Sequence, residues 1–144
     1  MAARFPALLA ALWWGSLGAI GFMAVPLLFA YLPTPAMAGN LAAKLFAAQT
    51  WVSVACCMGL LLISRPKMAV TPYPWAQAAM LFIVGGLLLA LVVQYGVTPR
   101  IVARQNLKFW HGLGTLMYTL QWLCALATLW HTLRGPAAVQ PPQA

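Results

Sequence analysis

Four long apolar runs alternate with short breaks along the chain. They cover Phe5 to Tyr31, about Leu41 to Ile63, about Trp75 to Val97 and about Trp110 to Leu133. A hydrocarbon core of about 30 Å is crossed by about 20 mostly apolar residues, so each run is long enough to span it. In lipid the backbone must satisfy its own hydrogen bonds, which makes the spans helices. The breaks "LPTPAMAGN" (Leu32 to Asn40) and "SRPKMAVTPYP" (Ser64 to Pro74) read as loops, since their prolines halt helices. The tail "GPAAVQPPQA" (Gly135 to Ala144) is Pro-rich and expected to be disordered. Trp75, Trp110 and Trp130 fall at span ends, where an aromatic belt belongs. The expected architecture is an all-α membrane protein. One domain, residues 1–134, holds four transmembrane helices as two antiparallel hairpins packed into a bundle, and residues 135–144 are tail.

The first run, with Arg4 before it and "AMA" ahead of Gly39, mimics a secretory signal. It is about twice as long as the 7–15-residue apolar core of such a signal, and Pro26 lies deep inside it. It is read as a retained span.

Composition sharpens this reading. The chain of 144 residues is 64% hydrophobic and only 6% charged, and every charge is positive: eight Lys and Arg against no Asp or Glu. A soluble domain carries about 25% charged residues, and without acids it has no ion pairs to lace its surface. The excess of +8 does not indicate nucleic acid, because the cations are parted by long apolar runs instead of forming a basic face. Anionic lipid headgroups are the expected partner. A homo-oligomer or a membrane-complex partner is left open.

Four spans place both termini on one side. Arg4, Arg65, Lys67 and Arg134 fall on that side, and Lys44, Arg100, Arg104 and Lys108 on the other. With the cations tied, the positive-inside rule does not set the orientation. The short "RPK" loop and Arg4 favour cytoplasmic termini.

The stretch "TPRIVARQNLKFWHG" (Thr98 to Gly112) concentrates the charge. Arg100, Arg104 and Lys108 recur every four residues and His111 follows three later, which would align them on one helical face. A short interfacial helix, basic side toward phosphate, is the expected form. Lys44, Arg100, Arg104, Lys108 and His111 are therefore the candidate site for a lipid headgroup or an anionic ligand, with His111 more enclosed than the cations.

Other chemistry finds little material. There is no carboxylate to serve as acid, base or orienting group for a nucleophile, so no catalytic residue is assigned and the protein is not read as an enzyme. His111 and His131 lie 20 residues apart on one span, about 30 Å along a helix, so they cannot share a metal or a haem. Cys56, Cys57 and Cys124 sit inside apolar runs and read as small filler, with soft-metal ligation as the alternative. No metal and no cofactor is expected. Gly15, Gly18 and Gly21, Gly85 and Gly86, and Gly112 and Gly114 suit close helix packing. Gln49, Thr50, Ser53, Gln94 and Gln121 are the expected bonds between helices.

The two hairpins also resemble each other. The first span closes on "VPLLF" (Val25 to Phe29) and Lys44-Leu45-Phe46 opens the second. The third closes on "VTPR" (Val97 to Arg100) and Lys108-Phe109-Trp110-His111 opens the fourth. This suggests two repeats related by a pseudo-twofold along the membrane normal.

"LWWGSLGAIGFMAVPLLF" (Leu12 to Phe29), "AGNLAAKLF" (Ala38 to Phe46), "YGVTPRI" (Tyr95 to Ile101) and "FWHGLG" (Phe109 to Gly114) resemble, in that order, bacterial members of the transmembrane-protein-205-like family, also labelled domain of unknown function 4149. The resemblance covers the whole chain except the tail. It implies a four-helix protein of the bacterial inner membrane with no established activity. Trp14, Gly15, Pro26, Phe29, Gly39, Phe46, Pro99, Arg100, His111 and Gly112 match the family pattern. Gly114 stands where bacterial relatives often carry Ser, which weakens a polar site around His111. A fainter likeness to copper-resistance D-type proteins and membrane protoporphyrinogen oxidases keeps metal or haem handling as the alternative function. Those families place a His shortly before the first-span Trp, and no His precedes Trp13 here. The leading reading is an accessory or small transporter-like protein whose basic interfacial mouth meets anionic lipid or ligand, and a structural subunit of a larger complex is the third.

Overall fold

The computed structural model describes residues 4–64 and 74–134. The predicted loop after Ser64 and the Pro-rich tail lie outside the described residues, as do Arg65 and Lys67. Four helical spans, each long and apolar enough to cross a membrane, run Phe5–Tyr31, Pro35–Ser64, Trp75–Val102 and Leu107–Leu133. There is no strand among the described residues.

Spans 1 and 3 are compound. Span 1 is α1 (Phe5–Gly18), a π-helical turn (Ala19–Ala24) and α2 (Val25–Tyr31). Span 2 is α3 (Pro35–Ser64). Span 3 is α4 (Pro74–Val92), a second π-helical turn (Val93–Val97) and α5 (Thr98–Val102). Span 4 is α6 (Leu107–Leu133). Each π turn lies directly upstream of a proline, Pro26 or Pro99, two residues after the turn ends. Proline has no N–H to give and its ring crowds the carbonyl four residues back. A widened turn absorbs that misfit without ending the span. In span 3 the Thr98 hydroxyl also donates to the Val93 carbonyl at 2.9 Å, closing the widened turn.

Spans 2 to 4 are longer than the sequence pattern indicated. "LPTPAMAGN" is helical from Pro35, and the connection is only Leu32–Thr34. The Thr34 Oγ1 accepts the Met37 N–H at 3.2 Å, a side-chain cap, and Pro35 occupies the first helical position, where its missing N–H costs nothing. At the other turn, span 3 runs on to Val102 and span 4 starts at Leu107, three residues earlier than Trp110.

The spans pack as a ring. α1 lies against α3 and α6, and α4 also lies against α3 and α6. Side chains bridge the two diagonals. Trp13 of span 1 is 0% exposed and its ring fills the space beside Gly86 of span 3, where an added Cβ would stand 2.6 Å from it. Ser53 of span 2 accepts the side-chain amide of Gln121 of span 4 at 3.0 Å.

These diagonal pairs fit the repeat expected from the prolines. Pro99 follows Pro26 by 73 residues. The same offset carries the buried residues of α1, namely Pro6, Ala10, Trp13 and Leu17, onto Ala79, Ile83, Gly86 and Ala90, all buried. An offset of 68 carries Ser53, Cys57 and Leu60 onto Gln121, Ala125 and Thr128, which are the buried residues of α6. Trp13 thus meets its own counterpart Gly86, and Ser53 meets its own counterpart Gln121. Residues on a twofold axis do just that. The prolines are true counterparts. Lys44 and Lys108 are not, because their separation of 64 residues misses the span 2 to span 4 register by about one turn of 3.6 residues.

Small residues set the distances between spans, as lipid-embedded helices require. Gly21, inside the first π turn, lies under the Tyr118 ring, where a Cβ would come within 2.5 Å. Gly18 faces Trp122. Gly15 and Gly112 have open space instead. The half of the bundle toward the chain ends is an apolar cluster that includes Ala10, Trp13, Cys57, Leu60, Ala79 and Ile83.

Candidate functional site

The turn end of the bundle carries the candidate cations. The stretch from Arg100 to Lys108 is not one helix. α5 ends at Val102, and Ala103 to Asn106 form a turn. The Gln105 N–H donates to the Arg100 carbonyl and the Arg104 N–H to the Ile101 carbonyl, both at 3.0 Å. With Arg104 at φ 55, this pair of bonds is a Schellman close, whose left-handed position glycine usually fills. Asn106, at φ 34, follows and its carbonyl accepts from Phe109 and Trp110 to start α6. The expected single basic face and interfacial helix are therefore replaced by two antiparallel helices and a tight turn. The four-residue spacing that suggested one face cannot survive a left-handed break.

The cations differ in what they do. The Arg100 guanidinium donates back to the Gly96 carbonyl and lies 4.7 Å from the centre of the Trp110 ring. It is committed to the junction of spans 3 and 4. Lys44, Arg104 and Lys108 are exposed and, among the described residues, have no side-chain partner. Lys44 sits nine residues into α3, about 14 Å from the helix start. Lys108 stands at the rim of an open groove of about 520 Å³ lined by Asn106, Phe109, Gly112, Leu113 and Leu116. Gly112 leaves the groove floor low, with nothing within 4 Å of an added Cβ. His111 is exposed and not enclosed as the sequence suggested, because α6 already begins at Leu107 and turns that side chain outward.

Beneath the turn end lies a polar ring. The Gln49 Nε2 donates to Ser16 Oγ at 2.9 Å, joining spans 2 and 1. The Tyr118 hydroxyl donates to the Leu17 carbonyl at 2.9 Å, joining spans 4 and 1. The Thr50 hydroxyl donates within its own helix to the Phe46 carbonyl. Between these groups is a cavity of about 10 Å³ lined by Phe46, Gln49, Thr50, Ala90, Val93, Tyr118 and Gln121. Phe46 and Tyr118 meet edge to face, ring centres 5.1 Å apart, on its turn-end side. Gln49, Ser53 and Gln121 thus bond between helices as expected. Thr50 does not, and Gln94 keeps its Oε1 without a donor. Sequence reasoning gave Ser16 and Phe46 no part in this ring and missed Tyr118. A tyrosine inside an apolar span was the available clue, since a buried phenol seeks an acceptor.

The cysteines sit in or against the apolar cluster as free thiols. Among the described residues no three of His, Cys, Asp or Glu gather as metal ligands do. His131 stacks on Phe82 at 5.7 Å, at the end opposite His111.

A family model described as Domain of unknown function (DUF4149) matches residues 8–109. No curated protein matches the chain and no solved structure does.

Proposed function

The chain belongs to the DUF4149 family, and from that premise we propose that it is an accessory or small transporter-like protein of the bacterial inner membrane whose working surface is the basic turn end. The kinship to transmembrane-protein-205-like proteins is part of this proposal and rests on the ordered motifs from Leu12 to Gly114. One observation carries the reading: exposed Lys44, Arg104 and Lys108 have no partner side chain among the described residues, in a protein whose sequence holds no Asp or Glu. Their counter-charge comes from outside the chain. An anionic phospholipid fits best, its phosphate at Lys108 and Arg104 and an acyl chain along Phe109, Leu113 and Leu116 in the groove. The termini face the cytoplasm in this reading. The same lack of carboxylates argues against an enzyme.

The test is lipid retention by native mass spectrometry, comparing phosphatidylglycerol with phosphatidylcholine across salt. At about 1 kcal/mol per charge, Arg104→Gln with Lys108→Gln should cost up to about 2 kcal/mol, a drop of about 30-fold in relative affinity. Arg100→Gln should cost less lipid but loosen the turn, and His111→Ala should change neither. Inorganic phosphate should not displace the lipid, whereas displacement would mean a soluble anion is the ligand. Unchanged retention and salt dependence in the double variant would sink the reading. Copper or a Soret band in the purified protein would put metal or haem handling in its place.

A further inference from the structure

The polar ring has an uneven account of donors and acceptors. Gln49 and Gln121 each give one amide hydrogen, to Ser16 and Ser53, and keep a second. Tyr118, Thr50 and Ser16 give their hydroxyl hydrogens to the carbonyls of Leu17, Phe46 and Trp13. Acceptor capacity is left over, and Gln49 Oε1 has no donor although the residue is only 2% exposed. A buried carbonyl oxygen without a partner is costly. A guest that satisfies it must bring a hydrogen.

Charge narrows the guest further. An anion would find no cation among the residues that line the cavity. A cation would first cross the basic turn end and then lie in a protein with no carboxylate to balance it. That leaves a neutral donor. The cavity of about 10 Å³ matches the smallest room that holds a water, about 10–15 Å³.

Position agrees independently. The cavity adjoins the axial pair Ser53–Gln121, at the interface of the two repeats, where transporters built from repeats hold their substrates. Phe46 and Tyr118 close it toward the turn end, and Val93, the first residue of the second π turn, forms part of its wall.

We propose that this cavity is a binding site for a small neutral hydrogen-bond donor, occupied by one water molecule in the closed arrangement, with Gln49 Oε1 as the principal acceptor. It deepens the transporter-like reading by naming what the bundle's interior accepts, and rests on that reading for its role.

The test uses the full chain crystallised from a lipid mesophase at a resolution that shows ordered solvent. The expected result is one water within hydrogen-bond distance of Gln49 Oε1. The Gln49→Met variant gives a second readout, with Ser16→Ala as the control for the Gln49–Ser16 bond. If water satisfies the carbonyl, Gln49→Met should lower the thermal midpoint more than Ser16→Ala does. A dry cavity in the map, or a higher midpoint for Gln49→Met than for the parent, overturns the proposal. Lipid retention is measured on the same variants. If it stays intact while the cavity proves dry, the interior site alone is lost and the headgroup reading stands.

Discussion

Two neighbouring glycines should respond unequally to the same substitution. Gly85 has nothing within 4 Å of an added Cβ. At Gly86 an added Cβ would stand 2.6 and 2.7 Å from two Trp13 ring atoms and 3.2 Å from the Cys124 Cβ. Replacing either glycine with alanine should gain about 1 kcal/mol of helix propensity. That gain is common to both and cancels in their difference. What remains is the cost of overpacking at Gly86, about 1–3 kcal/mol. The Trp13 ring cannot swing aside, because it is 0% exposed and part of the apolar cluster. Thermal unfolding of the purified protein in mild detergent measures the difference directly. Gly85→Ala should melt at or above the parent, and Gly86→Ala should melt below Gly85→Ala by that margin. Trp13→Phe should narrow the gap by making room. If the two alanine variants melt together, Trp13 does not occupy the axis and the diagonal contact is wrong.

Arg104→Gly should raise the thermal midpoint, since a left-handed residue with a side chain costs about 1–2 kcal/mol, while anionic-lipid retention falls. A loss of stability would show that the Arg104 side chain is anchored within the protein. Reporter fusions at either end should read the same side of the membrane, because the four spans alternate in direction, and opposite readings would remove one span.

The four spans were legible because length and apolarity alone decide them, and neither depends on packing. Thr34-Pro35, a cap followed by a proline at the first helical position, was a local mark of the α3 start, obscured by the prolines that also suggest a loop. The turn at Ala103 to Asn106 carried no such mark. Its left-handed positions hold Arg104 and Asn106 instead of glycine, so the regular spacing of the basic residues suggested a helix through the break. Gln49, Ser53 and Gln121 stood out as polar residues in apolar runs, but their partners depend on the register between spans, which only packing sets. That register also decided the repeat. The prolines identified it correctly, while the pairing of Lys44 with Lys108 was off by about a turn.

The axial pairs bear on how such a chain could arise. In a dimer of two identical hairpins, each position on the axis would face a copy of itself. A tryptophan would then meet a tryptophan at the place where Trp13 now lies, with no room for both, and two glycines there would leave a void. Joining the halves in one polypeptide lets the two sides of the axis differ. Trp13 fills what Gly86 vacates, and Gln121 reaches what Ser53 leaves short. Two unlike halves in one polypeptide thus reach a packed, hydrogen-bonded centre that strict symmetry forbids. The same freedom lets one half carry Gln49 beside the axis where the matching position, 68 residues on, is Met117.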